Sequence, residues 1–354
     1  SLSLLFLSLY SMANDAASSS TSWRLVAFGA LCYWIALVLI LKTKRDEYFS
    51  SSSTLKGSPR DEMVSLAVVT PTHHREKDKN FQTHALLALK NTLCSSSVDM
   101  DIVWVLVESE SDWRKSPLVE RYEKENRPLY CQRVHVKALR VSVRHTKNGH
   151  RGVSQRNKAL DWLQMNPWLP EQNPVVLFAD DDNAYTTEHF VRASKVRKVG
   201  IWPVGFPGTT SKFEAPFVKG QNDAMISPSV VGFRSFWCGN LAYKPRIFNV
   251  DMAGFGVRLN AIGSIRFDET AHPGYLEDMF LQRITRNIHK RNNTDRYDDN
   301  DAFVLLDALE TVNADDGIFV WHLYHKVTPG KTSSVKVLTR VPKGISFLCP
   351  PAHI

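Results

Sequence analysis

Apolar and polar residues alternate along the chain in a pattern that predicts strands and helices in turn. Residues 81–93 and 153–165 carry apolar side chains at helical spacing. The predicted strands are short runs rich in apolar and β-branched residues, and they lie at 64–70, 102–107, 133–143 and 175–179. Because strands and helices follow one another, the pattern predicts an α/β fold with a mixed, mostly parallel sheet.

One N-terminal segment differs from the rest because it is apolar on every side. Residues 25–41 carry no charge over 17 positions, and basic residues flank them on both sides. A helix of this length spans roughly 26 Å, which is enough to cross a thin bilayer. No small-residue cleavage site follows, so we expect an uncleaved transmembrane anchor rather than a signal peptide. A buried core helix is the alternative, which the all-round apolarity disfavours.

The remaining boundaries follow from composition. The first residue is Ser, so residues 1–24 are expected to be a short tail in which Met12 is a candidate start. The polar residues 42–62 predict a flexible stem, residues 63–325 have globular texture, and residues 326–354 give no assignment. The basic residues directly after the anchor would place the globular part in the cytoplasm by the positive-inside rule. This cytoplasmic orientation conflicts with the lumenal one that the function interpreted below requires.

Three adjacent carboxylates end the predicted strand at 175–179. Asp180, Asp181 and Asp182 repel one another, and open α/β sheets place their ligands at the carboxyl ends of strands. A bound cation explains such a group, and carboxylate oxygens suit Mg²⁺ or Mn²⁺ better than Zn²⁺. The alternative is an acidic turn that caps a helix beginning a few residues further on.

A basic stretch precedes this acidic group. Residues 132–160 contain eight Lys and Arg residues and no Asp or Glu. Basic residues facing a metal-binding acidic group favour an anionic ligand such as a nucleotide diphosphate, although a solvated basic surface explains most of the eight equally well. The net charge of +8 would also fit nucleic-acid binding, but the anchor and the acidic group count against that partner. The sequence contains neither a Walker A motif nor GxGxxG.

The cysteines and the glycosylation sequon give weaker signals. The chain has five cysteines and no CxxC spacing, so a zinc site is disfavoured. Up to two disulfides or free buried thiols both fit the four cysteines outside the anchor. The chain has a single N-glycosylation sequon, at Asn292.

Several segments together resemble glycosyltransferase family 43, the inverting β-1,3-glucuronosyltransferases of animals and their plant xylan relatives. They occur in the family's order with similar spacing and cover about residues 64–325. The segments are Val69-Thr70-Pro71-Thr72, Arg151-Gly152-Val153-Ser154-Gln155-Arg156-Asn157, Asp180-Asp181-Asp182-Asn183, Trp202-Pro203-Val204, Glu214-Ala215-Pro216, Asp251-Met252-Ala253-Gly254-Phe255, Leu276-Glu277 and Val320-Trp321-His322.

The resemblance implies a GT-A fold, with an α/β half that holds a UDP-sugar and a second half that binds an acceptor glycan. In the family's pattern the last aspartate of the acidic motif, here Asp182, binds Mn²⁺, and the ion bridges to the donor diphosphate. A dication at this place stabilises the negative charge that grows on UDP as the sugar bond breaks. The positions that resemble donor-binding residues are Pro71, Thr72, Arg151, Arg156, Asp180, Asp181 and His322.

Some of these donor-side positions also have structural explanations. Pro71 and Thr72 would line the uridine pocket, but Pro71 could simply end a strand. Arg156 would contact the donor, but it could pair with a surface carboxylate instead. His322 would also contact the donor, and its alternative is a hydrogen-bonded structural histidine.

The acceptor side needs a base, because an inverting transfer deprotonates the acceptor hydroxyl as its oxygen attacks. Glu277 matches the family's catalytic glutamate, and neighbouring Asp278 is the less favoured base. Viewed alone, Glu277 is an acid in the first turn of a helix, where the helix dipole favours negative charge. The positions that resemble acceptor-sugar ligands are Glu214, Arg246 and Asp251, and Trp237 is a further candidate whose spacing departs from the family's.

Two positions depart from the animal members of the family. Ser109 stands where they have an acidic residue that meets the uracil, and Tyr324 stands where they have an arginine. Loss of that cation weakens the argument for glucuronate, because a carboxylated sugar benefits from nearby positive charge.

These observations predict a single-pass type II protein of the Golgi membrane with a lumenal catalytic domain. The expected reaction moves glucuronate from UDP-glucuronate to the 3-hydroxyl of a galactose-ended glycan on a glycoprotein or proteoglycan, and the resemblance also implies a homodimer. UDP-xylose as donor is one alternative. A catalytically silent glycan-binding or scaffold protein is another, which the presence of both Asp182 and Glu277 disfavours.

Overall fold

The computed structural model describes residues 66–73, 79–97, 100–109, 131, 133–142, 152–166, 169–206, 212–219, 229–235, 238–240, 244–291, 305–311, 317–322 and 348–349. All the described residues lie in the unit Glu62–Ile354. Among them, no helix is long and apolar enough to cross a membrane. The predicted anchor and stem, residues 25–41 and 42–62, lie outside the described residues.

Strands and helices are numbered here in chain order. The strands are β1 (Leu66–Thr72), β2 (Ile102–Ser109), β3 (Val134–Val141), β4 (Val175–Phe178), β5 (Asn183–Tyr185), β6 (Val199–Ile201), β7 (Val204–Phe206), β8 (Lys212–Lys219), β9 (Ser229–Ser235), β10 (Gly239–Asn240), β11 (Lys244–Pro245), β12 (Phe255–Arg258), β13 (Leu309–Thr311), β14 (Val320–His322) and β15 (Leu348–Cys349). The helices are α1 (Lys79–Ser96), α2 (Val153–Met165), α3 (Leu169–Gln172), α4 (Thr187–Ala193), α5 (Leu259–Ile262) and α6 (Leu276–Arg291), with a 3₁₀ turn at Met252–Gly254.

The larger sheet is mixed and mostly parallel, as the sequence predicts. Its strand order is β13-β6-β12-β4-β1-β2-β3, and only β12 runs antiparallel to its neighbours. Strands β1, β2 and β4 are buried along their whole length, which explains their near-continuous apolar sequences. Each predicted helix and strand exists within three residues of its predicted ends, and α2 matches at both ends.

The second sheet is mostly antiparallel and was not predicted. Its order is β15-β9-β8-β7-β14-β5, and only the β7–β14 pair is parallel. Several of its strands have only two or three residues, too few to show an alternating pattern. Strand β15, from the unassigned C-terminal region, pairs with β9 at one edge.

An aromatic group joins the larger sheet to α6. The Phe178 ring, at the end of β4, meets the edge of Phe267 at 5.0 Å, and Phe267 stacks on Phe280 of α6 at 3.9 Å. All three side chains are buried. Offset and edge-on ring pairs add to the stabilisation from apolar burial, so this contact fixes the beginning of α6 relative to the end of β4.

A disulfide ties α1 to the chain that leads into β3. Cys94 bonds to Cys131 across a sequence separation of 37 residues, and Cys238 is also disulfide-bonded. The sequence left disulfides and free thiols open as alternatives, and the structure has these three cysteines bonded. The sequon at Asn292 lies outside the described residues.

Candidate active site

The three carboxylates Asp180, Asp181 and Asp182, called here the acidic turn, connect β4 to β5 at the carboxyl end of β4. The alternative that this turn caps a helix is wrong. Helix α4 is capped by Thr186, whose side chain accepts a hydrogen bond from the backbone N–H of His189. Because β5 separates the turn from this cap, the aspartates are not needed to begin the helix.

Asp180 forms an ion pair with Arg156 in the first turn of α2. The Nη2 atom of Arg156 lies 2.5 Å from Oδ1 of Asp180, and the arginine side chain is buried. Burial raises the pKa of Asp180, the Arg156 guanidinium opposes that rise, and the charge of Asp182 adds to it. Arg156 therefore pairs with the acidic turn itself, rather than with a surface carboxylate.

Gly152 makes room for this ion pair. Its φ is +81°, and a Cβ atom there would lie 2.6 Å from Nη1 of Arg156. A side chain at this position would strain the backbone and push the guanidinium from its place. This explains in physical terms why a glycine stands directly before α2.

Asp181 is held by hydrogen bonds from inside the fold. Its Oδ2 accepts from Oγ1 of Thr72 and from Nε2 of Gln82, each at 2.8 Å. Thr72 is the last residue of β1, and Pro71 before it is also part of that strand. Pro71 therefore does not end the strand, although β4 pairs with β1 only as far as Val69.

His322 lies opposite the acidic turn because of strand register. It pairs with Asn183 across the β14–β5 ladder, and its ring stacks on Phe206 at 5.5 Å. Its Nδ1 lies 3.2 Å from Oδ2 of Asp251. Burial alone would lower the pKa of His322, but the hydrogen bond and charge of Asp251 outweigh it and raise the pKa to about 9.

The acceptor-side candidates Glu214, Arg246 and Asp251 are brought near Glu277. Burial raises the pKa of Glu214 to about 7, and the positive charge of Arg246 opposes the rise. Oε1 of Glu214 accepts from the Ser235 hydroxyl at 2.8 Å, across the β8–β9 ladder. Asp251 also accepts from the Ala253 N–H through Oδ1, so the 3₁₀ turn fixes its carboxylate.

Glu277 and Asp278 begin α6 but have different surroundings. Both oxygens of Asp278 are used inside the fold: Oδ1 accepts from the N–H groups of Ile247 and Phe248, and Oδ2 from Gln282. Burial raises the pKa of Glu277, while the charge of Arg246 and the backbone N–H of Glu277 itself oppose the rise. Asp278 thus ties the segment that carries Arg246 to α6, whereas the charges of Asp251 and Arg156 act on the pKa of Glu277.

Electrostatic coupling shows that the donor-side and acceptor-side candidates form one site. Asp251 and Arg156 both act on the pKa of Glu277, and Asp182 and Asp180 act on that of His322. Pairwise interactions therefore connect eight of the predicted residues: Arg156, Asp180, Asp182, Glu214, Arg246, Asp251, Glu277 and His322. The predicted Arg151, Trp237 and Tyr324 lie outside the described residues.

The residues present fit a divalent cation that is only partly held by protein. Among the described residues, no group of three or more His, Cys, Asp or Glu side chains could hold a metal ion. Asp182 is partly exposed, and its charge destabilises the ionised form of Asp180. A cation bound by Asp182 and by a ligand's phosphates would relieve that repulsion, and oxygen donors of this kind suit Mn²⁺ and Mg²⁺.

Sequence reasoning missed Gln82, Ser235 and the role of Asp278. Ser235 faces Glu214 only because β8 and β9 pair in one register, and the sequence does not reveal that register. Gln82 carries one signal: it lies at helical spacing with the buried Leu86, Leu89 and Leu93, where an apolar residue is expected.

Comparison with known proteins supports the resemblance to a glycosyltransferase family that the sequence indicates. The model of glycosyltransferase family 43 matches residues 89–325. The human galactosylgalactosylxylosylprotein 3-beta-glucuronosyltransferase 3 is 34% identical over 240 residues, which are 63% of this chain and 64% of that protein. The human galactosylgalactosylxylosylprotein 3-beta-glucuronosyltransferase 1 is 35% identical over 209 residues, 57% of this chain and 55% of that protein. The chain thus spans less than two thirds of the length of these two relatives.

The family model covers more than half of the chain, and its match contains the acidic turn, Arg156, Glu277 and His322. The chain belongs to glycosyltransferase family 43.

Proposed function

We propose that this protein is an inverting, metal-dependent glycosyltransferase that moves glucuronate from UDP-glucuronate to the 3-hydroxyl of a galactose-ended glycan. The observation that carries the proposal is that Arg156 and Asp251 act on the pKa of Asp180, in the acidic turn, and also on that of Glu277. A nucleotide-sugar transferase needs both parts: a place for the anionic leaving group and a base for the incoming hydroxyl.

Glu277 is the proposed base. It takes the proton of the acceptor hydroxyl as that oxygen bonds to the anomeric carbon, while the bond from that carbon to UDP breaks and UDP leaves with the electron pair. Burial raises the pKa of Glu277, which makes the carboxylate a stronger proton acceptor near neutral pH. Glu214, Arg246 and Asp251 would orient the acceptor sugar.

On the donor side, the protein supplies one cation, Arg156, and the carboxylates of the acidic turn lie beside it. Arg156 is held by Asp180 beside the proposed diphosphate position. Asp182 would hold Mn²⁺, which when bound would neutralise the charge developing on the diphosphate. Pro71 and Thr72 lie at the carboxyl end of β1, where a nucleotide would meet an open α/β sheet.

Glucuronate is the favoured donor sugar for two reasons. The relatives described above are named as glucuronosyltransferases, and His322, with its pKa near 9, supplies a positive charge at neutral pH. That charge offsets in part the replacement of an arginine by Tyr324. UDP-xylose remains the second candidate, because a xylose carries no carboxylate and needs no such cation.

A silent glycan-binding or scaffold protein fits these residues less well. Glycan binding alone needs neither three adjacent carboxylates nor a glutamate such as Glu277, whose pKa is raised by burial. Those features cost stability in the absence of a ligand, because buried or adjacent charges are unfavourable. Catalysis best explains why the chain has both the three adjacent carboxylates and this glutamate.

We also propose that the catalytic domain lies in the Golgi lumen. The Cys94–Cys131 disulfide and the bonded Cys238 support an oxidising compartment, against the positive-inside count.

The protein in intact vesicles should resist added protease and show a glycosidase-sensitive mass shift that Asn292→Gln removes. Digestion of residues 63–354 in intact vesicles would contradict this orientation. The expected homodimer stays a prediction.

A panel of UDP-sugars tests the donor and the metal together. Purified protein should transfer sugar from UDP-glucuronate to a galactose-ended acceptor with Mn²⁺, and should lose transfer with EDTA. Asp182→Asn should lose most transfer at any Mn²⁺ concentration, whereas Asp161→Asn, a matched change on α2 outside the site, should not. Transfer from UDP-xylose alone would select the second candidate, and full activity in EDTA would exclude the metal.

Protonation of His322 can be measured directly. We expect its imidazole resonance, assigned by its loss in His322→Gln, to titrate near pH 9. Because this pKa lies above the ordinary value of 6.5, protonated His322 stabilises the fold fully below pH 6.5, and the contribution is lost as the pH rises through about 9. Asp251→Asn should lower the pKa, and Asp268→Asn should not. An unshifted pKa in Asp251→Asn would exclude the ion pair.

Replacing the proposed base separates catalysis from donor binding. Glu277→Gln keeps the shape of the side chain but cannot accept a proton, so turnover should fall by roughly 10²–10⁴-fold while UDP affinity with Mn²⁺ stays near that of the parent. Glu188→Gln, the same change in the first turn of α4, is the matched control. Near-normal turnover would remove Glu277 as base, and lost UDP affinity would make it a structural residue.

A further inference from the structure

A buried polar network lies behind the acidic turn, and its glutamine has no role in the reaction described so far. It consists of Gln82 of α1, Thr72 and His73 at the end of β1, and Asp181. Gln82, Thr72 and Asp181 are 3%, 2% and 4% exposed. A glutamine amide buried among side chains costs free energy unless its hydrogen-bonding groups are satisfied.

The two N–H donors of the Gln82 amide are shared among three acceptors at this end of the sheet. Its Nε2 lies 2.7 Å from Oγ1 of Thr72, 2.8 Å from the backbone oxygen of His73, and 2.8 Å from Oδ2 of Asp181. The Thr72 hydroxyl reaches the same Asp181 oxygen at 2.8 Å. One carboxylate oxygen thus receives two short, charge-assisted hydrogen bonds, which are stronger and more directional than neutral ones.

The position of Gln82 on its helix makes this contact specific. Gln82, Leu86, Leu89 and Leu93 share the face of α1 that packs into the core, and all four are buried. A leucine at position 82 would continue the apolar face and avoid the cost of burying an amide. What the amide adds is a fixed orientation for Asp181.

The orientation of Asp181 controls its two neighbours through the backbone. Asp180 must face Arg156, and Asp182, on the other side of Asp181, is partly exposed. With the central side chain pulled inward to Gln82 and Thr72, the flanking carboxylates are kept out of the core. Hydrogen-bond partners behind a ligand-binding group orient it in this way in many metal sites.

We infer that Gln82 is a positioning residue that fixes the acidic turn in the arrangement that binds UDP. The inference rests on the proposed function and adds to it a residue that does not touch the donor. It adds a structural role to Asp181, which the sequence predicts as a donor-binding residue: Oδ2 of Asp181 is held from behind by Thr72 and Gln82, while Asp180 pairs with Arg156 and Asp182 is partly exposed.

Calorimetric titration of the full chain with UDP and Mn²⁺ tests the inference. Gln82→Met keeps the length of the side chain and removes the donor, and UDP affinity should fall by roughly 10–100-fold. Gln164→Met is the matched control, since Gln164 donates to the backbone oxygen of Leu259 away from the acidic turn. Its affinity should stay within twofold of the parent, and thermal unfolding should shift to a similar extent in both variants.

A double-mutant cycle distinguishes positioning from general support of the fold. If Gln82 acts through Asp181, Gln82→Met should cause little further loss of UDP affinity in an Asp181→Asn background. Equal losses in both backgrounds, or an unchanged affinity in Gln82→Met, would overturn the inference. If Gln82→Met does not fold, Gln82→Glu keeps the shape and places a carboxylate against Asp181, and unchanged UDP affinity there would overturn it equally. A parent chain without Mn²⁺-dependent UDP binding would refute the proposed function itself, and this inference with it.

Discussion

Mutual repulsion of the carboxylates at the end of β4 is the constraint on which the site depends. The fold treats the three members of the acidic turn differently. Asp180 is paired with the buried guanidinium of Arg156, and Asp181 is held by Thr72 and Gln82. Asp182 stays partly exposed, and its charge adds to the raised pKa of Asp180. Two of the charges are thus compensated from inside, and Asp182 carries the remaining negative charge, which the proposed function assigns to a metal ion.

The two sheets and α6 bring the rest of the site to this turn. The β14–β5 register sets His322 opposite Asn183, and the stacking of Phe267 on Phe280 holds α6 against the end of β4. Helix α2 strengthens the connection: the Asn157 amide makes two hydrogen bonds with the backbone of Phe267, at 3.0 and 2.8 Å. The helix that carries Arg156 is therefore bonded to the segment that leads into Glu277. These hydrogen bonds explain how Arg156 and Glu277, which are far apart in sequence, are kept at a fixed distance from each other.

The sequence predicted those parts of the molecule that depend on local pattern. Buried parallel strands and α2 have continuous or helical apolar patterns, and these elements were placed within a few residues. The acidic turn follows directly from a strand that ends in three aspartates. The antiparallel sheet could not be predicted, because its short strands are defined by their partners. Gln82 and Ser235 were missed for the same reason: each is polar, and only tertiary contacts show which carboxylate it meets.

The contrast between Glu277 and Asp278 shows how neighbouring acids can acquire different roles. Sequence alone ranked them only by family position. In the structure Asp278 accepts three hydrogen bonds and secures the segment beside Arg246, so a proton bound there would break contacts that hold the site together. Burial raises the pKa of both acids, and the charges of Arg246, Asp251 and Arg156 act on that of Glu277. Groups whose surroundings differ in this way divide acid–base and structural work, and in the proposed reaction proton transfer falls to Glu277.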